Sequence, residues 1–289
     1  MASSERQLHW SLVLHVLVFT LAFAMQIALT RWAESTAAFG SYAFHLSLAQ
    51  SLAILAGLGI PSAAIRFLSR HLAHQQDTQA RELAGRATGL VIASGFVVAL
   101  VLCLGAWLFK GTLSVAMIWA GVMVPLYSLR FMSETWAKTQ HRTSLTLLPG
   151  GVLHPLLVIL ICFVWAGLQP GQLNAEELLA VGVISLLVCT LGQTLWLART
   201  RIRFPATEKK SDELEPPGSF TIRELLRVAL PMLLVAGLGI LMGQCDVLML
   251  RWLAGDAATG EYAVAVRISW VIVLPLVSVN LLAAPTYAA

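Results

Sequence analysis

Charge is scarce in this chain. Asp, Glu, Lys and Arg make up 12% of its 289 residues, about half of the ~25% usual for a soluble domain. A water-facing surface cannot be covered with so little charge, so a large soluble α domain is excluded. Paired cysteines are also lacking. Cys103, Cys162, Cys189 and Cys245 all fall inside apolar blocks, with no CxxC or Cys/His spacing, which leaves neither a disulfide framework nor a metal site. No GxxxxGK[ST], HExxH or GxSxG occurs, so the chain is expected not to be an enzyme and to need no cofactor. With no nucleotide site, any transport would draw on an ion gradient, the membrane potential or the cargo gradient. The net charge of +4 does not indicate nucleic acid, because the basic residues fall in the gaps between apolar blocks.

What the chain has in abundance is long apolar runs, with 58% hydrophobic residues. Eight of them approach the ~20 residues a bilayer crossing needs. Their expected limits are 9–30, 40–62, 87–109, 114–136, 146–167, 178–198, 228–250 and 259–282. They do not alternate polar and apolar as barrel strands would. The fold class expected is therefore all-α integral membrane with about eight transmembrane helices. The first run resembles a signal peptide at its start, but it continues to Leu29 and has a counterpart in mid-chain. It is read as an uncleaved helix.

The basic residues set the orientation. With the N-terminus in the cytoplasm, 14 Lys and Arg lie on the inner side, and only Arg31, Lys110 and Arg251 on the outer. The longest polar stretch, TRIRFPATEKKSDELEPPGSFT, spans 200–221 and reads as a cytoplasmic linker.

A repeat organises the rest. RWAESTAAFGSYAF at 31–44 and RWLAGDAATGEYAV at 251–264 agree at seven of 14 positions when aligned at an offset of 220. Both lie between an outgoing helix and a returning one, with Gln26 or Asp246 five positions upstream. Helices one and two thus correspond to helices seven and eight. Six helices separate the copies, and an even number returns the chain to the same face. The halves are therefore parallel repeats about an axis along the membrane normal, as in transporters that bind substrate between halves near the midplane. The expected division is a first six-helix bundle over 1–199, a linker over 200–222, and the first two helices of a second bundle over 223–289. A full second half would need about 440 residues in total, so a C-terminally truncated chain is expected.

At these residues the sequence resembles a known family. RWAESTAAFGSYAFHLSLAQSLAILAGLGIPSAAIRFLSR is similar to the first hairpin of bacterial polysaccharide exporters, the O-antigen-type oligosaccharide flippases. LPMLLVAGLGILMGQCDVLMLRWLAGDAATGEYAVAVRIS is similar to the start of their second half. Multidrug and toxin extrusion transporters belong to the same superfamily. The resemblance implies alternating-access transport of a polyprenyl-diphosphate-linked oligosaccharide across the bacterial inner (plasma) membrane. Lipid-linked oligosaccharide, membrane lipids and polysaccharide assembly proteins are the expected partners.

Such a cargo calls for cations facing its diphosphate, and arginine suits this because its fork matches phosphate oxygens and stays charged. An Arg at a helix centre costs about 2.5–3.5 kcal/mol on insertion scales, so it faces the bundle interior by default. Arg267 and Arg130 lie within expected spans. Arg267 is either a cavity cation or the partner of Asp246 in a buried or gating ion pair. Arg130 precedes Glu134 by four residues and Lys138 by eight, placing them on one helix face. It is either an inner-mouth phosphate contact or a snorkelling pair. Arg66, near the end of helix two, is a third candidate cation. His15, His45 and His154 are candidates for ion coupling. Rival readings are a multidrug/cation antiporter, a membrane glycosyltransferase (disfavoured by the short outer connections) and a non-transporting fragment.

Overall fold

The computed structural model describes residues 2–73, 77–110, 114–140, 146–168, 171–199 and 222–287, with side chains described for 13–69, 71, 79–108, 114–140, 146–168, 171–199 and 223–269 among them. The expected linker 200–222 lies outside the described residues, apart from Ile222. Among the described residues there are eight helices and no strand beyond an isolated bridge between Ala33 and Leu173. They are α1 (Ala2–Trp32), α2 (Thr36–Ala56), α3 (Ile60–Ala73), α4 (Asp77–Lys110), α5 (Val115–Thr139), α6 (His154–Leu168), α7 (Ala175–Arg199) and α8 (Ile222–Tyr287). Among the described residues seven stretches are long and apolar enough to cross a membrane, and the protein is a multi-pass membrane protein.

Local chemistry sets the helix ends. Ser35 caps α2 by accepting from Ala38 N at 3.1 Å, and Ser114 caps α5 from Met117 N at 3.3 Å. Asn174 and Glu177 open α7 with a reciprocal capping box, each bond 2.9 Å, which satisfies two otherwise orphaned backbone donors.

Four spans depart from the sequence expectation. The second, expected over 40–62, breaks after Ala56. Leu58 (φ 51) and Gly59 (φ 70) turn the chain through left-handed backbone, and helix resumes at Ile60. The resulting α3 is amphipathic. Ile60, Ala63, Ala64 and Leu68 are buried, while Ile65, Arg66 and Ser69 are exposed. The fifth span opens with a π-helical turn, Leu148–Leu153, before α6. The last two spans form one helical run, α8, interrupted at Gly255 (φ 82, ψ −174). That run still folds back on itself. Tyr262 donates to Asp246, 16 residues earlier, at 2.7 Å, whereas a continuous helix would separate them by about 24 Å. The limbs 222–254 and 256–287 thus run antiparallel, as the repeat requires.

Two large apolar clusters and a small one at Ala137 and Leu197 are found among the described residues. Of the large ones, one joins α2, α5, α6 and α7 through Phe39, Tyr42, Met123, Tyr127, Val158 and Leu186. The other lies at the opposite end, where α3, α4, α5 and α8 meet through Leu68, Leu83, Met132 and Leu225. The widest contact is α2 on α8. There Gly40 meets Gly260, its repeat equivalent. A Cβ on Gly40 would strike the Asp256 carbonyl, and one on Gly260 would strike the Thr36 carbonyl. Thr36 and Asp256 are themselves equivalent, so the contact is reciprocal, as about a two-fold axis. Small residues let membrane helices approach this closely.

Candidate functional site

A cavity of about 200 Å³ opens at the end of the bundle away from Gly40. The break after Ala56 borders it, with Gly57, Gly59 and Pro61 in its lining. Ile54, Ile65, Phe131, Ala236 and Ile240 form its apolar wall; Ser62, Thr135, Glu134 and Lys138 supply polar groups. α5 contributes Glu134 and Lys138 to it from one face, since they are spaced by four, and Arg130 precedes Glu134 by one turn.

Arg130 stands one turn from Glu134. Its Nε donates to Glu134 Oε1 at 3.0 Å, with side chains 21% and 20% exposed. It lies 5.9 Å from the centroid of the Tyr127 ring, within the range of a cation–π contact. On another side it meets the π-helical turn at Gly150, where a Cβ would collide with the guanidinium. Glycine is needed there for that approach. The charge of Arg130 also acts on His154 and Cys189, so α5, α6 and α7 converge around it. Just beyond, the Ser133 and Thr194 hydroxyls bond at 3.0 Å between α5 and α7. Glu134 engages Nε, and among the described residues the Nη donors have no hydrogen-bond partner.

A hydrogen-bonded chain links this cluster to α8. Gln244 Nε2 donates to Gln50 Oε1 at 3.1 Å, and Gln50 Nε2 donates to the Tyr127 hydroxyl at 3.3 Å.

The structure distributes the residues singled out from the sequence unevenly. Arg130 is held inside the bundle and pairs with Glu134, which lines the cavity, but does not line it itself. Arg66 is exposed on the outer face of α3 and does not line the cavity. Arg267 is exposed, and the expected pair with Asp246 is not formed. Among the described residues the salt bridges are Arg86–Glu82, Arg130–Glu134 and Arg251–Asp256. Asp246 takes the Tyr262 hydroxyl instead. Counted from Gly255, Asp246 lies nine residues before the turn, Tyr262 seven after and Arg267 twelve after, so tyrosine reaches the carboxylate first.

The three histidines are separate. His45 is buried in α2, bonded through Nδ1 to the Ser41 carbonyl at 2.7 Å. His15 is half-buried in α1, and His154 begins α6 beside Arg130. Sequence reasoning missed Tyr127, Gln50, Gln244 and Gly150. Tyr127 sits three residues from Arg130, and the two glutamines are amides within apolar spans, which were the available signals.

Comparison with known proteins places this geometry. No curated protein matches the chain. Among solved structures it resembles the MATE multidrug transporter DinF-BH in complex with R6G, at 17% identity and a TM-score of 0.65, over 97% of this chain and 64% of that one. It also resembles an inward-facing multidrug resistance transporter of the MATE family and MOP superfamily, at 15% identity and 0.59, over 90% of this chain and 59% of that one. The chain thus spans less than two thirds of the length of these structures, and the likeness establishes a shared fold. The model of the polysaccharide biosynthesis protein family matches residues 6–286, nearly the whole chain, and the protein belongs to that family.

Proposed function

We propose that the protein is a flippase for a polyprenyl-diphosphate-linked oligosaccharide, acting by alternating access in polysaccharide or O-antigen export. In this reading the cavity end faces the cytoplasm, as does the N-terminus, and the membrane is the bacterial inner membrane. The halves are 1–199 and 223–289, joined by 200–222, and the cargo comes from polysaccharide assembly proteins. One observation carries the reading: Arg130, kept inside a membrane span, with no hydrogen bond from its Nη donors among the described residues, is paired with Glu134, which with Lys138 lines a cavity that is otherwise largely apolar. A diphosphate is recognised by the fork of an arginine, Lys138 adds a second cation, and the apolar wall suits the first isoprene units. Arg66 on the exposed face of α3 meets headgroups, and Arg267 waits on the second half.

The test is binding of farnesyl diphosphate, against farnesol as control, to the full chain in nanodiscs. Arg130→Gln is expected to weaken diphosphate binding about tenfold, the scale of a lost charge-assisted hydrogen bond, and to leave farnesol unchanged. Equal affinity for the diphosphate in both proteins would remove Arg130 as a cargo contact.

A specific observation supports a second reading, the multidrug/cation antiporter. Asp246 lies in a span and is bonded to a hydroxyl rather than to a cation, so its charge could serve a cationic cargo or a coupling ion. Binding of a lipophilic cation, abolished by Asp246→Asn and indifferent to Arg130→Gln, would favour it.

A further inference from the structure

The two halves meet at polar side chains as well as at glycines. At span depth an amide needs protein partners, because lipid offers none. Gln50 on α2 and Gln244 on the first limb of α8 meet this need together: Gln50 accepts from Gln244 at 3.1 Å and passes a donor to the Tyr127 hydroxyl at 3.3 Å. Tyr127 is 4% exposed, so its ring is clamped by packing on its faces and by this bond at its tip. Arg130, three residues on, lies against that ring, with the backbone of Gly150 on another side. The pose of the guanidinium thus depends on the ring, the ring on Gln50, and Gln50 on a residue of the second half.

We propose that Tyr127 is a positioning residue for Arg130, and that the Gln244–Gln50 bond makes its position depend on the docking of the second half. The inference rests on the reading of Arg130 as the diphosphate contact. When α8 moves away from α2, the Gln244 donor leaves and the Tyr127 tip loses its clamp. Arg130 then loses the ring that holds its guanidinium beside Glu134, the carboxylate that lines the cavity. Separation of the halves and release of the anion become one event. Neither amide touches the cargo.

The experiment is a double-mutant cycle on farnesyl diphosphate affinity, with the full chain in nanodiscs. Gln244→Leu is expected to weaken binding about fivefold, the scale of one hydrogen bond. Tyr127→Phe, which keeps the ring and removes only its hydroxyl, should weaken it equally, and the two together no further. In an Arg130→Gln background, Gln244→Leu should have no effect. A merely structural role would weaken binding in both backgrounds, and that result overturns the proposal. Wild-type affinity in Gln244→Leu, while Arg130→Gln still loses binding, also overturns it and leaves the cargo reading standing. Wild-type affinity in Arg130→Gln removes both. Leucine at 244 eases membrane insertion; if that variant nevertheless fails to assemble, Gln50→Met breaks the same bond from α2 with the same expected loss.

Discussion

The first copy of the repeated hairpin is enclosed and the second is not. Trp32 is half-buried where its counterpart Trp252 is 83% exposed, and Tyr42 is 3% exposed where Tyr262 is 37%. The first turn is strapped to the α6–α7 connection by Glu34 N to Leu173 O at 2.9 Å and Leu173 N to Trp32 O at 2.7 Å. The second is held by Arg251, which pairs with Asp256 and lies 5.5 Å from the Phe44 ring centroid on α2. Arg31 is exposed, because Thr36 stands where Asp256 would be its partner.

One position shows the difference at the level of the backbone. Ser35 and Gly255 are repeat equivalents. Ser35 turns the chain in extended conformation (φ −156, ψ 163) and caps α2. Gly255 does so at φ 82, ψ −174, a region reserved for glycine. The residues the copies share encode the contact between them, and the surroundings decide how each turn is closed.

Two changes would break or sharpen this comparison. The larger effect is expected at the shared contact. Gly40→Leu and Gly260→Leu should each lower the unfolding midpoint in detergent, by an overpacking cost of about 1–3 kcal/mol. The two losses should be similar, because the contact is reciprocal. Gly239→Leu, where nothing lies within 4 Å, is the control and should be tolerated. A large loss at Gly40 with none at Gly260 would dispose of the two-fold contact. The smaller effect is an exchange at the turn. Gly255→Ser should cost about 1–3 kcal/mol for a side chain in a glycine-only region. Ser35→Gly should cost only a few tenths, roughly the difference between two good caps. Equal costs, read from the same denaturation curves, would mean the two turns are not distinct.

The topology was legible in the sequence for physical reasons. Span length and the 220-residue offset are each local or periodic, and each leaves a mark on the sequence. Arg130–Glu134 was legible because a four-residue spacing fixes neighbours on any helix. The break at Gly57–Gly59 was hidden inside an apolar run, where Leu58 reads as one more lipid-facing residue. The alternative of an Asp246–Arg267 pair rested on two charges in neighbouring spans, and Tyr262, nearer the turn, takes the carboxylate in the structure. The Gln244–Gln50–Tyr127 chain joins residues 194 and 77 positions apart, and no spacing rule reaches so far. Gly150 was overlooked because its role is to leave room for a side chain on another helix.

The account depends on parallel repeats whose matched turns lie on one face of the membrane while the Lys138 cavity opens on the other. Labelling tests this most directly. Glu34, its equivalent Ala254, and Lys138 are all exposed. Each is changed singly to cysteine after Cys103, Cys162, Cys189 and Cys245 are replaced by serine, and a membrane-impermeant maleimide is applied from either side. The account predicts that Glu34→Cys and Ala254→Cys react only from outside and Lys138→Cys only from the cytoplasm. Reaction of Glu34→Cys and Ala254→Cys from opposite faces would contradict it.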